Sequence, residues 1–160
     1  MGFSPTSSST RTRSIMAETQ KLDLASDRSM RILVVHPQVG SEVARLLARD
    51  GHDVLELGSE DRLRRMLGVF GPDLILIVCP EPARVCRELR EGAPEVAIVA
   101  VVSGREVADR VTVLDAGADD CLAMPYHDAE LRARLWAVCR HRAPRARQPR
   151  CNRTMLGGHR

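Results

Sequence analysis

Short apolar runs alternate with amphipathic stretches from Met30 to His141. Ile32-Leu33-Val34-Val35, Leu74-Ile75-Leu76-Ile77-Val78 and Val96 to Val102 are continuous and rich in β-branched residues. Such runs suit parallel strands covered on both faces. Val54-Leu55 and Cys121-Leu122-Ala123 are shorter runs of the same kind. The stretches between them carry helical spacing. Ser41 to Asp50 puts Val43, Leu46 and Leu47 on one face, and Gly51 stands where a helix ends. Ser59 is the expected cap of a short second helix carrying Leu63, Met66 and Leu67. Pro82 to Glu91 turns Val85 and Leu89 inward. Arg105 to Ala116 aligns Val107, Val111 and Leu114 on one stripe, and Gly117 follows at the position of a left-handed cap. Ala129 to Cys139 turns Leu131, Leu135 and Val138 inward.

Five strands thus alternate with five helices, through connections short enough to require right-handed crossovers. The expectation is a three-layer α/β fold: a doubly wound parallel sheet of flavodoxin-like (βα)5 type, strand order 2-1-3-4-5. The flanks differ in composition. Residues 1–29 are Ser/Thr-rich without periodicity and read as a disordered tail. Arg11, Arg13 and the serines suggest a transit peptide, but Glu18, Asp23 and Asp27 weigh against one, and Met16 or Met30 is an alternative start. Residues 142–160 read as a basic linker after a folded unit of 30–141.

Charge sharpens that division. The net charge is +3. Met30 to Cys139 holds 13 basic and 18 acidic residues, whereas Arg140 to Arg160 holds seven Arg and no acid. The folded unit is mildly acidic and the basic character lies in the C-terminal segment. Aromatic residues make up only 2%, so the core is one of Val, Leu, Ile and Ala. The five cysteines (79, 86, 121, 139 and 151) form no CxxC pair and read as reduced, mostly buried thiols. No apolar run approaches the roughly 18 residues of a membrane span. No signal-peptide apolar region opens the chain, so a cytoplasmic protein without a membrane partner is expected.

Several motifs fall in a recognisable order. Met30-Arg31-Ile32-Leu33-Val34-Val35, Pro72-Asp73-Leu74-Ile75-Leu76-Ile77, Gly117-Ala118-Asp119-Asp120, Met124-Pro125-Tyr126 and Asp128 to Arg140 together resemble response-regulator receiver domains. The resemblance is strongest to the OmpR-like class with a winged-helix output, and it covers about Met30 to His141. It implies a place in a two-component system, in signal transduction and transcription regulation. Receiver chemistry requires an aspartate after strand three as phosphoryl acceptor. Acidic residues after strand one hold Mg²⁺. A Ser/Thr after strand four and a lysine after strand five meet the phosphoryl charge. In this chain the acidic pair becomes His36 and Pro37, the acceptor Val78, and the lysine Met124. The Ser/Thr position falls on Val102 or, shifted by one, on Ser103. Asp73 starts strand three at the opposite edge, and Glu81 lies three residues past the acceptor position.

The resemblance therefore implies a degenerate receiver without Mg²⁺, other metal or cofactor, and without phosphorylation. An apolar pocket of Val78, Val102, Met124 and Cys79, rimmed by His36, is expected in its place. It reads either as a small-molecule site or, more plainly, as core, since apolar groups at strand ends usually are. His36 with Cys79 lacks the spacing of a metal pair. An enzyme using His36, Ser103 or a cysteine lacks a visible base and orienting group.

The resemblance also implies a homodimer through helix four, strand five and helix five. Its ion pairs would be Arg110–Glu130 and Asp120–Arg134 across a two-fold axis. Asp115 keeps a family acid, while its basic partner position is Trp136, which is expected to add apolar area. The Arg-rich end is expected to be a linker towards a winged-helix domain, with Thr154-Met155-Leu156-Gly157-Gly158 resembling the start of one. DNA binding would then belong to an output domain absent from these residues. The competing expectation is a stand-alone ligand-sensing or adaptor module.

Overall fold

The computed structural model describes residues 29–59, 62–104 and 106–141. The tail of residues 1–29, apart from Ser29, and the linker of residues 142–160 lie outside the described residues, as do Glu60, Asp61 and Arg105. The strands are β1 (Arg31–Val35), β2 (Asp53–Leu57), β3 (Leu74–Ile77), β4 (Ala97–Val102) and β5 (Asp120–Ala123). The helices are α1 (Glu42–Arg49), α2 (Leu63–Phe70), α3 (Pro82–Gly92), α4 (Val107–Asp115) and α5 (Asp128–His141). The strands are parallel in the order β2-β1-β3-β4-β5, as the alternation of apolar runs requires.

The period-two geometry of the strands sorts their side chains into two cores. Leu33, Val35, Ile75, Ile77, Ile98 and Ala100 face α2, α3 and α4. Ile32, Val34, Leu74, Leu76, Val99 and Val101 face α1 and α5, which contribute Val43, Leu47, Leu131 and Leu135. Every residue of β3 is fully buried. Each such Leu or Ile contributes roughly 1.5–3 kcal/mol through burial.

The ends of the sheet are set by polar groups reaching across long sequence separations. At the N-terminal edge the Asp73 carboxylate accepts the Arg31 N–H at 2.7 Å, while Asp73 N–H donates to Arg31 O at 2.8 Å. This aligns β3 with β1 and holds Asp73 at the edge away from the strand C-termini. Asp119 does the same for β4 and β5, accepting the Ile98 N–H at 2.7 Å and the Arg90 guanidinium at 2.7 Å. Arg90 also donates to Gly117 O, Pro94 O and Val96 O, at 2.6, 3.1 and 2.7 Å. One side chain thereby ties the end of α3 to the turn after α4.

Gly117 fits that turn for two reasons. Its φ is +105°, and a Cβ there would stand 2.4 Å from Arg90 Cγ. At the other end of the sheet Ser41 caps α1, its hydroxyl accepting the Ala44 N–H at 3.3 Å.

Two expectations need correction. Ser59 does not cap α2: the helix starts at Leu63 after Arg62, whose side chain makes no capping bond. The stripe of Val107, Val111 and Leu114 does exist on α4, but it faces solvent, at 65, 47 and 42% exposure. Val113 and Ala116 turn to the core instead. Among the described residues no helix is long and apolar enough to cross a membrane.

Replacing Gly117 with Ala should lower the unfolding free energy by about 1–3 kcal/mol through backbone strain alone. The displaced Arg90 adds to that cost. Urea denaturation measures the difference, and an unchanged midpoint would remove the close-approach account of this turn.

Candidate functional site

The C-terminal ends of parallel strands are where an open α/β sheet gathers a site. Backbone bonds bring the expected positions there together. His36 N–H donates to Leu57 O at 3.0 Å, Val78 N–H to Val35 O at 2.8 Å, and Met124 N–H to Val102 O at 2.8 Å. What differs is the chemistry on that frame. Val78 is half-buried and packs towards the α1/α5 core. Val102 is buried, whereas Ser103, just past β4, is exposed. Met124 is 44% exposed. Pro37 is exposed. His36 is half-buried, and its Nδ1 lies 3.0 Å from Gln38 N and 2.9 Å from Gln38 O, which ties the ring into its own turn.

A further carboxylate stands nearby. Glu56, on β2, accepts hydrogen bonds from the Ser41 hydroxyl and from the N–H groups of Gly40 and Ser41. Burial opposes its ionisation, but these bonds, with a smaller contribution from His36, outweigh it and lower its pKa. Glu56 is thereby committed to the N-terminal turn of α1, where a negative charge also meets the helix dipole. The signal in the sequence is slight: one acid inside an otherwise apolar strand.

The expected apolar pocket takes a different shape. A cleft of about 510 Å³ opens between α3 and α4. Cys79, Val102 and Ser103 line it together with Arg84, Arg87 and Asp109, while Val78, Met124 and His36 do not. The void thus lies on one face of the sheet, beside the strand ends rather than over them. Burial pushes the Cys86 and Cys139 thiols up to about 11, which suits packing and not nucleophilic chemistry.

The helix-four to helix-five face can be placed residue by residue. Arg110 and Asp115 are exposed on α4. Arg134 donates from one nitrogen to both oxygens of Asp120 at 3.1 Å, and also reaches Glu130 at 2.9 Å. The hydrogen bonds it donates to Asp120 and then to Glu130 raise its pKa. The Asp120–Arg134 pair expected between subunits is therefore already made within one chain. Trp136 requires a correction. It packs in the α1/α5 layer with its ring 6.3 Å from that of His52, at an interplanar angle of 57°, and so faces away from α4.

Because the folded-state pKa of Glu56 is lowered, its contribution to stability is present above the ordinary glutamate value, about 4.3. It is lost as pH falls through the lower folded-state value. The variant Glu56→Gln should be less stable than the parent at neutral pH and should converge with it in acid. Thermal melts across pH 3 to 7 measure this, and a constant gap would contradict it.

No family model matches the chain. Its sequence is 35% identical over 102 residues to the response regulator MprA of Mycolicibacterium vanbaalenii, covering 61% of this chain and 40% of that protein. It is equally identical over the same length to MprA of Mycobacterium leprae, covering 61% of this chain and 41% of that protein. The chain thus spans about 40% of the length of these curated relatives. The receiver domain of Klebsiella pneumoniae RstA, solved in its BeF3-activated state, superposes with a TM-score of 0.61 and is 29% identical. It covers 69% of this chain and 98% of that one. The strand order and these relatives agree that the described residues form a flavodoxin-like receiver fold of response regulators.

Proposed function

We propose that this receiver domain works without phosphorylation, acting in signal transduction as a constitutive dimerising element that controls an output domain. The observation that carries this reading is Val78 at the end of β3, within an otherwise intact backbone frame. An acyl phosphate needs an attacking carboxylate, and a hydrocarbon side chain supplies none. Mg²⁺ needs hard oxygen ligands, which neither an imidazole nor proline provides. Met124 carries no charge to meet a phosphoryl group. We accordingly assign the domain no cofactor and no enzymatic activity.

The homodimer would use α4, β5 and α5. The exposed stripe of Val107, Val111 and Leu114 supports this, because it adds apolar area to a face otherwise marked only by charges. Exposed ion pairs contribute roughly 0–1 kcal/mol each. Apolar burial contributes roughly 25 cal/mol per Å². The stripe would thus supply affinity, while Arg110 meeting Glu130 of a second copy would set orientation. DNA binding would reside in an output domain outside the described residues, as the OmpR-like resemblance implies, and the protein would act in the cytoplasm.

A second reading, ligand sensing by a stand-alone module, is favoured by the cleft between α3 and α4. Stabilisation of the parent by a metabolite in a thermal-shift screen, lost on filling the cleft with Ser103→Trp, would support it.

Incubation with acetyl phosphate and Mg²⁺ should leave the intact mass unchanged. A phosphoryl adduct mapped to any residue at the strand ends would overturn phosphorylation independence. In sedimentation velocity the parent should form a dimer. Arg110→Glu should weaken it and Val111→Asp should weaken it further. Parent-like association of both variants would show that the interface lies elsewhere.

A further inference from the structure

His52 joins three elements that are distant in the chain. It sits between α1 and β2, and its own N–H donates to Leu47 O at 3.2 Å. Its Nδ1 accepts the Met30 N–H, just ahead of β1, at 3.3 Å. Its ring lies against Trp136 on α5. The bond from Met30 requires a lone pair on Nδ1, so the proton of the neutral ring sits on Nε2. Asp53 N–H returns a bond to Met30 O at 2.9 Å, which keeps Met30 N–H aimed at the ring.

We propose that His52 is a proton-operated latch that fastens the Trp136 side of α5 to the start of β1 when neutral and loosens that contact when protonated. A proton from solvent would take the lone pair on Nδ1, and the N–H···N bond to Met30 would be replaced by two donors facing each other. The imidazolium would also demand hydration at a half-buried contact with Trp136. The charged groups around the ring limit this response. Just past α1, Asp50 favours the cation. From α5, Arg132 holds that carboxylate at 2.6 and 3.2 Å and offsets it. From β2, Asp53 is the adjacent acid, and from β1 its register partner Arg31 adds a cation whose guanidinium is directed to Asp73 and Phe70 O.

Burial lowers the pKa of His52 from its ordinary 6.5, and Asp50 opposes this only in part. The neutral ring thus contributes its full stability above about 6.5, and that stability is lost as pH falls through the lower folded-state value. The response is confined to acid conditions. Because α5 also carries Glu130 and Arg134, the loosening would extend to the dimer face. That consequence alone rests on the function proposed above.

Trp136 is the single tryptophan of the chain, so its fluorescence reports this contact directly. The full chain titrated from about pH 8 to pH 4.5 should show quenching with a midpoint below 6.5. His52→Gln, whose amide oxygen can accept from Met30, should show none. Amide hydrogen exchange of residues 131–139, corrected for intrinsic rates, should rise several-fold in acid in the parent and stay constant in the variant. Asp50→Asn keeps the histidine and leaves Arg132 uncompensated, so it should move the midpoint lower. Quenching that persists in His52→Gln, a midpoint at or above 6.5, acid-insensitive exchange in α5, or an unmoved midpoint in Asp50→Asn would each overturn the latch.

Discussion

The complete burial of β3 constrains everything else in this molecule. Leu74, Ile75, Leu76 and Ile77 point alternately to the two faces of the sheet, and none reaches water. A strand of this kind must be flanked by other strands and covered by helices on both sides. Backbone polar groups in the middle of such a sheet are used by the ladder, which leaves chemistry to the strand ends. Asp73 and Asp119 then fix the register from one edge, each by accepting a backbone N–H of a neighbouring strand.

What could be read in the sequence follows from how local each signal is. The apolar runs of β1, β3 and β4 and the Gly117 turn are legible because a few adjacent residues determine them. Helical spacing on α4 showed which residues share a stripe, but not which stripe meets the sheet. Val113 and Ala116 compete with Val107, Val111 and Leu114 for the inner side, and only packing against the sheet decides. The roles of Glu56 and Arg90 were illegible because their partners lie 15 and 29 residues away, at Ser41 and Asp119. The side on which Trp136 packs is not legible because its ring partner, His52, lies in the distant connection between α1 and β2.

At the strand ends, backbone pairing and side-chain chemistry are set separately. His36, Val78 and Met124 keep the backbone bonds of their positions, since those depend on strand pairing and not on side chains. A cluster of carboxylates would carry mutual repulsion there, balanced only by a bound cation. Hydrocarbon and thioether groups carry none. Among the described residues Glu56 is held beside that edge by the Ser41 hydroxyl and by the N–H groups of Gly40 and Ser41.

The clamp on Arg134 has a further consequence. A long side chain that is free in solution loses rotamer freedom when a partner binds, at roughly 0.5–1.5 kcal/mol per side chain. Here Asp120 and Glu130 already hold the guanidinium in each separate chain. Its ordering therefore belongs to folding and not to association. Whatever meets this surface encounters a charge pattern set in advance, with Arg110 left as the adjustable element.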